Sequence, residues 1–278
     1  MLSYRHSFHA GNFADVIKHI VLIEILEHLL SKDKALHYID THAGAGMFDL
    51  TGEHSLKLQE FRDGVGRLVP EDWPELATYF SIIHAHNAQA DLAGYPGSPM
   101  IARSLLRRHD RAWLYELHPQ DSLLLTETIG RDRRFRVLQE DGYAGLLGLL
   151  PPLTRRGLVL IDPSYEVKSE YSRVVEIVLK SHRKFNTGTY ALWYPVVERE
   201  RVVNLERDFE NSGIRNIQRF EICVQPDSKE RGMTGAGMIV VNPPWTLMAR
   251  MSVLLPRLSQ TLAQAPETSF KADVLVAQ

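Results

Sequence analysis

Leu158-Val159-Leu160-Ile161-Asp162-Pro163-Ser164-Tyr165 carries the reading of the whole chain: an apolar, β-branched run stops abruptly at a carboxylate, a rigid turn residue and an aromatic ring. A run without polar alternation reads as a parallel strand buried on both faces, and such strands deliver their chemistry at the carboxyl edge of the sheet. Asp162 can accept a hydrogen bond from an exocyclic amine, while the ring of Tyr165 can lie flat against the heterocycle bearing it. The spelling points to a purine or pyrimidine amino group, although the same four residues also serve as a plain strand-ending turn.

Working outward, strands are expected at 35–39, 112–117, 135–138, 157–161 and 189–194, separated by helical patterns at 120–129 and 171–185. That alternation predicts a parallel sheet wrapped by helices. Residues 14–30 read as an amphipathic helix with a broad apolar face, preceded by a His-rich arm. After a helix over 198–211, strand-like runs at 216–224 and 238–241 predict a terminal hairpin that closes the sheet. More than sixty residues lie between Gly46 and the next convincing strand, against about thirty in an ordinary strand-helix-strand unit. The excess predicts a small helical subdomain inserted over 55–91, with helices at 57–68 and 75–87, leaving 1–54 and 92–278 as the main domain. Ser98 is expected to cap the helix that follows, with Pro99 in its first turn.

Asp40-Thr41-His42-Ala43-Gly44-Ala45-Gly46 follows the first strand as a small-residue turn where backbone can approach a ligand closely. It lacks the third glycine of the dinucleotide fingerprint, which weakens a nicotinamide reading, and fits better the looser acidic-plus-glycine turn of S-adenosylmethionine sites. Glu116 and Asp141, the latter followed by Gly142, end later strands. Glu116 could accept ribose hydroxyls and Asp141 an adenine amino group. Each alone is an ordinary cap or solvated edge, but with Asp40 and Asp162 they make a series of acidic strand ends expected to converge on one rim.

The 278 residues are 44% hydrophobic, enough for a full core, and the formal net charge of −2 gives no global attraction for polyanions. Any nucleic-acid contact must come from local patches. Candidates are 107–111, 131–136, 155–156 and the Lys229 to Arg231 loop, the last favoured together with the arm, though each cluster taken singly reads first as a solvated face. The single cysteine, Cys223, excludes an internal disulfide, and the histidines lack H-x-x-x-H or H-E-x-x-H spacing, so no metal is expected. No run approaches the roughly 18 apolar residues of a membrane span, and the expected location is the cytoplasm.

Asp-Pro-Ser-Tyr resembles the Asp-Pro-Pro-Tyr signature of amino-methyltransferases, and the chain as a whole resembles the bacterial 23S ribosomal RNA adenine-N6 methyltransferase family. The matched runs are 4–19, 38–46, 161–166, 188–197, 231–234 and 237–245. The resemblance implies an α/β, Rossmann-like, S-adenosylmethionine-dependent methyltransferase fold: a mostly parallel sheet, a terminal antiparallel hairpin and an inserted helical subdomain. By it, His19, His42, Ser98, Glu116, Asp141, Gly142 and Asp162 would contact S-adenosylmethionine. Asp162, Pro163 and Tyr165 would form the catalytic turn, and Tyr4, Lys18 and Tyr165 would meet the substrate base. The implied partner is 23S ribosomal RNA, protein-free or in an early assembly intermediate, with the chain acting as a monomer. The departure is Ser164, where the family usually carries a second proline.

Asn242-Pro243-Pro244-Trp245 also fits the signature, with both prolines, but it ends the hairpin, whereas Asp162 stands beside the glycine turn at the switch point of the sheet. A DNA adenine methyltransferase would use the same turn and cofactor. A nicotinamide oxidoreductase and a non-enzymatic RNA-binding module are the readings from other classes. Retention of S-adenosylmethionine rather than NAD, and loss of function in Asp162→Ala, discriminate these two.

Overall fold

A computed structural model of the chain describes residues 5–87, 92–167, 169–228 and 232–278. Its strands are β1 (His37–Asp40), β2 (Met47–Asp49), β3 (Gly94–Pro96), β4 (Arg111–Tyr115), β5 (Phe135–Leu138), β6 (Gly157–Ile161), β7 (Thr189–Val196), β8 (Ile217–Cys223), β9 (Gly235–Val241) and β10 (Ser269–Val276). The helices are α1 (Phe13–Leu30), α2 (Glu53–Leu58), α3 (Ala77–Ala85), α4 (Ser98–Leu105), α5 (Pro119–Ile129), α6 (Gly142–Leu149), α7 (Glu170–Lys184), α8 (Arg199–Glu210) and α9 (Leu247–Thr261).

An eight-stranded sheet runs β10-β8-β9-β7-β6-β1-β4-β5. Pairings from β7 to β5 are parallel, and those of β9, β8 and β10 are antiparallel. From β1 the chain first builds outward to β4 and β5, then returns to the other side of β1 for β6 and β7. This reversal places a crevice at the carboxyl ends of β1, β4 and β6, where open α/β sheets bind ligands. Every residue of β6 is buried, as its unbroken apolar run predicts, and each of its Leu, Val and Ile side chains contributes about 1.5 to 3 kcal/mol by leaving water.

The apolar core lies on both faces of the sheet, against α1, α4 and α9 on one side and α6, α7 and α8 on the other. The expectation of an amphipathic α1 is corrected: burial runs almost unbroken from Phe13 to Leu26 and includes Asp15, Lys18 and His19. Its apolar residues are contiguous rather than spaced at helical period, because α3, α4 and α9 enclose it as well as the sheet.

Between β2 and β3, which pair as a small antiparallel ribbon, the expected helix over 57–68 is not formed. α2 stops at Leu58, Gln59 turns the chain at φ +53°, and short 3-10 turns follow as far as Leu76. Packing is the reason at Gly64: a Cβ there would stand 2.1 Å from the Gly11 carbonyl oxygen, and Val65 donates its amide to that carbonyl at 2.8 Å. The helix expected over 75–87 is shorter: a 3-10 turn holds Pro74–Leu76, and α3 runs only from Ala77 to Ala85. Trp73, Tyr79, Phe80 and Ile83 from this segment belong to the same core as α1.

Gly97, not Ser98, holds the cap position of α4, and the Ser98 hydroxyl turns instead to Asp40. The β8–β9 hairpin does not end the sheet. α9 crosses over and brings β10 to the edge beside β8, a continuation the pattern analysis missed.

Candidate active site

The four acidic strand ends do not play one role. Asp40 is fully buried beneath the crevice and accepts hydrogen bonds from the Tyr38 hydroxyl at 2.8 Å, the Ser98 hydroxyl at 2.7 Å and the His42 amide at 3.3 Å. Burial pushes its carboxyl up to about 6 against these donors. It organises the loop after β1 from below, and the expectation that it joins the rim is corrected. Glu116, Asp141 and Asp162 do line the crevice, which is a cleft of about 740 Å³.

Asp162 leaves β6 with its side chain 15% exposed and meets Lys18 Nζ at 2.6 Å. Lys18, on α1, is 5% exposed and also lies 2.7 Å from Asp15 Oδ1. Asp15 Oδ2 in turn accepts the Gly11 amide at 2.8 Å and lies 2.9 Å from His6 Nε2. A line of polar contacts therefore runs from the arm through α1 to the turn after β6. Burial works against the charge on Lys18, but Asp15 and Asp162 outweigh it and hold its ammonium above the usual lysine range. Burial likewise opposes ionisation of Asp15, yet His6 and Lys18 keep its carboxyl well below the ordinary value. The sequence signal for Asp15 was its i,i+3 spacing from Lys18, which pattern reading passed over.

Glu116, at the end of β4, accepts the Gly44 amide on one oxygen at 2.8 Å and the His118 amide on the other at 2.7 Å. It thereby clamps the glycine turn, and each oxygen keeps a lone pair for a further donor. Asp141 caps α6, accepting from Tyr143 at 2.8 Å and Ala144 at 3.3 Å, and its second oxygen pairs with Arg173 at 2.8 Å. Gly142 is required by contact: a Cβ would fall 2.0 Å from the Thr41 carbonyl oxygen.

His19 and His42 both line the cleft. His19 Nδ1 meets the Tyr95 hydroxyl at 2.8 Å, and its buried Nε2 finds no partner among the described residues. His42 Nδ1 meets the Thr41 hydroxyl at 2.8 Å. Burial pulls the two rings down to about 3 and about 4 respectively, so both are neutral at physiological pH.

Tyr165 adopts φ +54°, a left-handed backbone that a bulky residue holds only where its surroundings insist. Its hydroxyl donates to the Trp193 carbonyl at 2.8 Å and its ring packs 4.5 Å from that of Tyr171. Pro163 lines the cleft, and its carbonyl accepts no hydrogen bond among the described residues. Arg173, Tyr171 and Trp193 were not foreseen, because they come from α7 and β7 and reach the cleft only through the topology.

Asn242 sits at the opposite edge of the sheet, since β9 runs antiparallel to β7, and its amide is spent on the Asn186 and Gly188 carbonyls, each at 2.8 Å. Tyr4, Lys229 and Arg231 lie outside the described residues. Among the described residues no group of three or more His, Cys, Asp or Glu side chains is placed to hold a metal ion, and no helix is long and apolar enough to cross a membrane.

The family model described as ribosomal RNA large subunit methyltransferase D, RlmJ, matches residues 33–276. Ribosomal RNA large subunit methyltransferase J of Escherichia coli K12 is 49% identical over 267 residues, covering 95% of both chains. Its namesake from Haemophilus influenzae is 48% identical over 276 residues, covering 98% of both. Among solved structures, protein LPL1258 of Legionella pneumophila superposes with a TM-score of 0.88 at 36% identity, covering 96% of this chain and 98% of that one. With a model match across nearly all of the sheet and relatives aligned end to end, the chain belongs to the ribosomal RNA large subunit methyltransferase J family.

Proposed function

We propose that this protein methylates the N6 amino group of an adenine in 23S ribosomal RNA, with S-adenosylmethionine as donor. The observation that carries the reading is Asp162, presented at the carboxyl edge of β6 inside the cleft and held there by Lys18 at 2.6 Å.

The cleft suits this donor on its own features. Gly44, at φ +61°, opens the turn to close approach, Glu116 can accept hydroxyl donors, and the unpartnered Nε2 of His19 is a polar atom awaiting a ligand. His42, Ser98, Asp141 and Gly142 complete the set of residues that would hold it. S-adenosylmethionine supplies a methyl group made electrophilic by its sulfonium.

The amino nitrogen of adenine is a poor nucleophile because its lone pair is delocalised into the ring. The Asp162 carboxylate and the Pro163 carbonyl accept its two N–H bonds, which biases the nitrogen towards pyramidal geometry and aims the lone pair at the methyl carbon. Lys18 fixes the carboxylate in place while this happens and, with Tyr4, belongs to the substrate side. The proton released from nitrogen leaves through Asp162 to water. A base inside a duplex cannot reach this rim, so the adenine is unpaired or flipped, with Tyr165 stacking on it.

Residues 55–91 act as an inserted subdomain that braces the arm, as the contacts of Glu60 with His9 and Asn12 support. The protein works as a cytoplasmic monomer on RNA that is protein-free or early in assembly. Labelled methyl transfer to unmodified 23S RNA, comparing the parent chain with Asp162→Ala and followed by nucleoside identification, tests the reading. N6-methyladenosine from the parent alone is expected; product on a ring carbon or a ribose oxygen would overturn it.

A further inference from the structure

Three arginine-rich stretches far apart in the chain, 107–111, 131–136 and 155–156, meet at the amino edge of the sheet, opposite the cleft. Strand register brings them there: His37 faces Arg111 on one side and Gly157 on the other, and Ala112 faces Phe135. The catalytic turn lies at the far end of the same strands, roughly 17 Å away along β6 at about 3.3 Å per residue.

Two sets of cations stand out at this edge. Arg107, Arg134 and Arg156 are consumed inside the protein. Arg107 and Arg156 donate to the closing carbonyls of α1 and to Lys34, and Arg134 donates to the carbonyls of Arg103 and Leu106. That is the ordinary use of a cation at a helix C-terminus. Lys32, Lys34, Arg108, Arg133 and Arg155 are different: all are exposed, and among the described residues none has a side-chain partner. Of the neighbouring carboxylates, Asp110 is held by Arg107 and Asp132 by Arg134, and Asp33 lies 3.8 Å from His109. In a chain of net charge −2, this segregation is not a by-product of a basic composition.

Trp245, the last residue of the Asn242-Pro243-Pro244-Trp245 stretch, stands on the same edge and is 83% exposed. Its ring meets that of His28 at 6.1 Å, and the next residue, Leu29, gives its carbonyl to Arg156, which joins the indole to the basic rim. Unpaired cations that track phosphates, beside an exposed aromatic ring that can stack on a base, form the combination that binds unpaired nucleic acid.

We propose that this edge is a second RNA-docking surface, which grips a ribosomal RNA segment remote from the methylated adenine while the cleft acts. The inference rests on the RNA methyltransferase reading and adds to it a site on the opposite side of the sheet.

The test compares the parent chain, the triple variant Arg108→Glu/Arg133→Glu/Arg155→Glu, and Trp245→Ala. Methyl transfer and RNA binding are measured on full-length unmodified 23S RNA and on a short fragment holding the methylated adenine and its flanks, at about 50 and about 200 mM salt. On full-length RNA the triple variant is expected to raise KM and Kd at least about tenfold, and its slope of log affinity against log salt should be shallower by about two to three. Trp245→Ala is expected to weaken full-length binding about five- to a hundredfold with an unchanged salt slope. Both variants should match the parent on the fragment, which also shows that they fold. Unchanged KM and salt slope on full-length RNA, with transfer still proceeding, would overturn the second surface and leave the methyltransferase reading intact. Equal losses on both RNAs would overturn it too, and a parent that methylates neither RNA removes the reading beneath it.

Discussion

Lys18 Nζ and Asp162 Oδ2 lie 2.6 Å apart although 144 residues separate them in the chain. The contact joins the helix that enters the core to the turn that leaves the central strand, and Asp15 completes the charge balance on the lysine. Three buried or half-buried charges thus depend on one another. Lys18→Met leaves two carboxylates without their cation, so a loss of about 3 to 5 kcal/mol in urea unfolding is expected. Methyl transfer should fall about a hundred- to a thousandfold, the cost of losing one preorganised polar partner. Adding Asp15→Asn to Lys18→Met should recover part of the stability and none of the activity; full recovery of transfer would show that the lysine does not position Asp162.

Gly142→Ala forces a methyl group onto the Thr41 carbonyl oxygen, where 2.0 Å is available. Backbone lies on both sides of that contact, so the start of α6 must shift. An overpacking cost of about 1 to 3 kcal/mol is expected in chemical denaturation. S-adenosylmethionine binding, followed by calorimetry, should weaken in parallel because Asp141 moves with its helix.

Burial holds His19 and His42 down to about 3 and about 4, against an ordinary value of 6.5, so the folded chain binds fewer protons on these rings than the unfolded chain. Their contribution to stability is present above about 6.5 and is lost as pH falls through the window down to the folded values, by about 1.4 kcal/mol per unit for each ring. Asp40 acts in the opposite sense. Its raised carboxyl favours the folded chain below 3.8, and that advantage is lost as pH rises through about 6. With two groups against one, urea midpoints should fall between pH 6 and pH 4, and His19→Asn should flatten the fall. A midpoint constant across that range would contradict the burial of neutral imidazoles.

Tyr165→Phe removes one hydrogen bond, to the Trp193 carbonyl, and should cost about 1 kcal/mol of stability while leaving KM for RNA within about threefold. Tyr165→Ala removes the ring and should raise KM at least about tenfold, the scale of one lost base stack. Equal KM values for the two variants would show that the ring does not meet the base.

The parallel strands were legible because each carries its own evidence: β6 is apolar without alternation, so only a strand covered on both faces can bury it. The turns after β1 and β6 were legible for the same local reason, since glycine, proline and aspartate restrict the backbone wherever they stand. The segment after Leu58 was not, because Gly64 breaks the helical pattern through contact with Gly11, a residue distant in sequence. α9 and β10 were missed because Pro256 lies inside the helix and the edge strand is only half-buried, which blurs both periodicities.

What the order of residues dictates here is everything that depends on near neighbours: strand periodicity, the glycine turn, and the carboxylate that ends β6. Which charges meet is a property of the closed sheet. Asp40, Glu116, Asp141 and Asp162 look alike on the page, yet Asp40 is sealed under Ser98 and Tyr38, Glu116 clamps a turn, Asp141 caps a helix, and Asp162 alone faces Lys18. The same closure spread the basic clusters along one edge and put the indole of Trp245 beside them. Electrostatic partners are set by distance in space, and folding brings together side chains that the covalent chain keeps far apart.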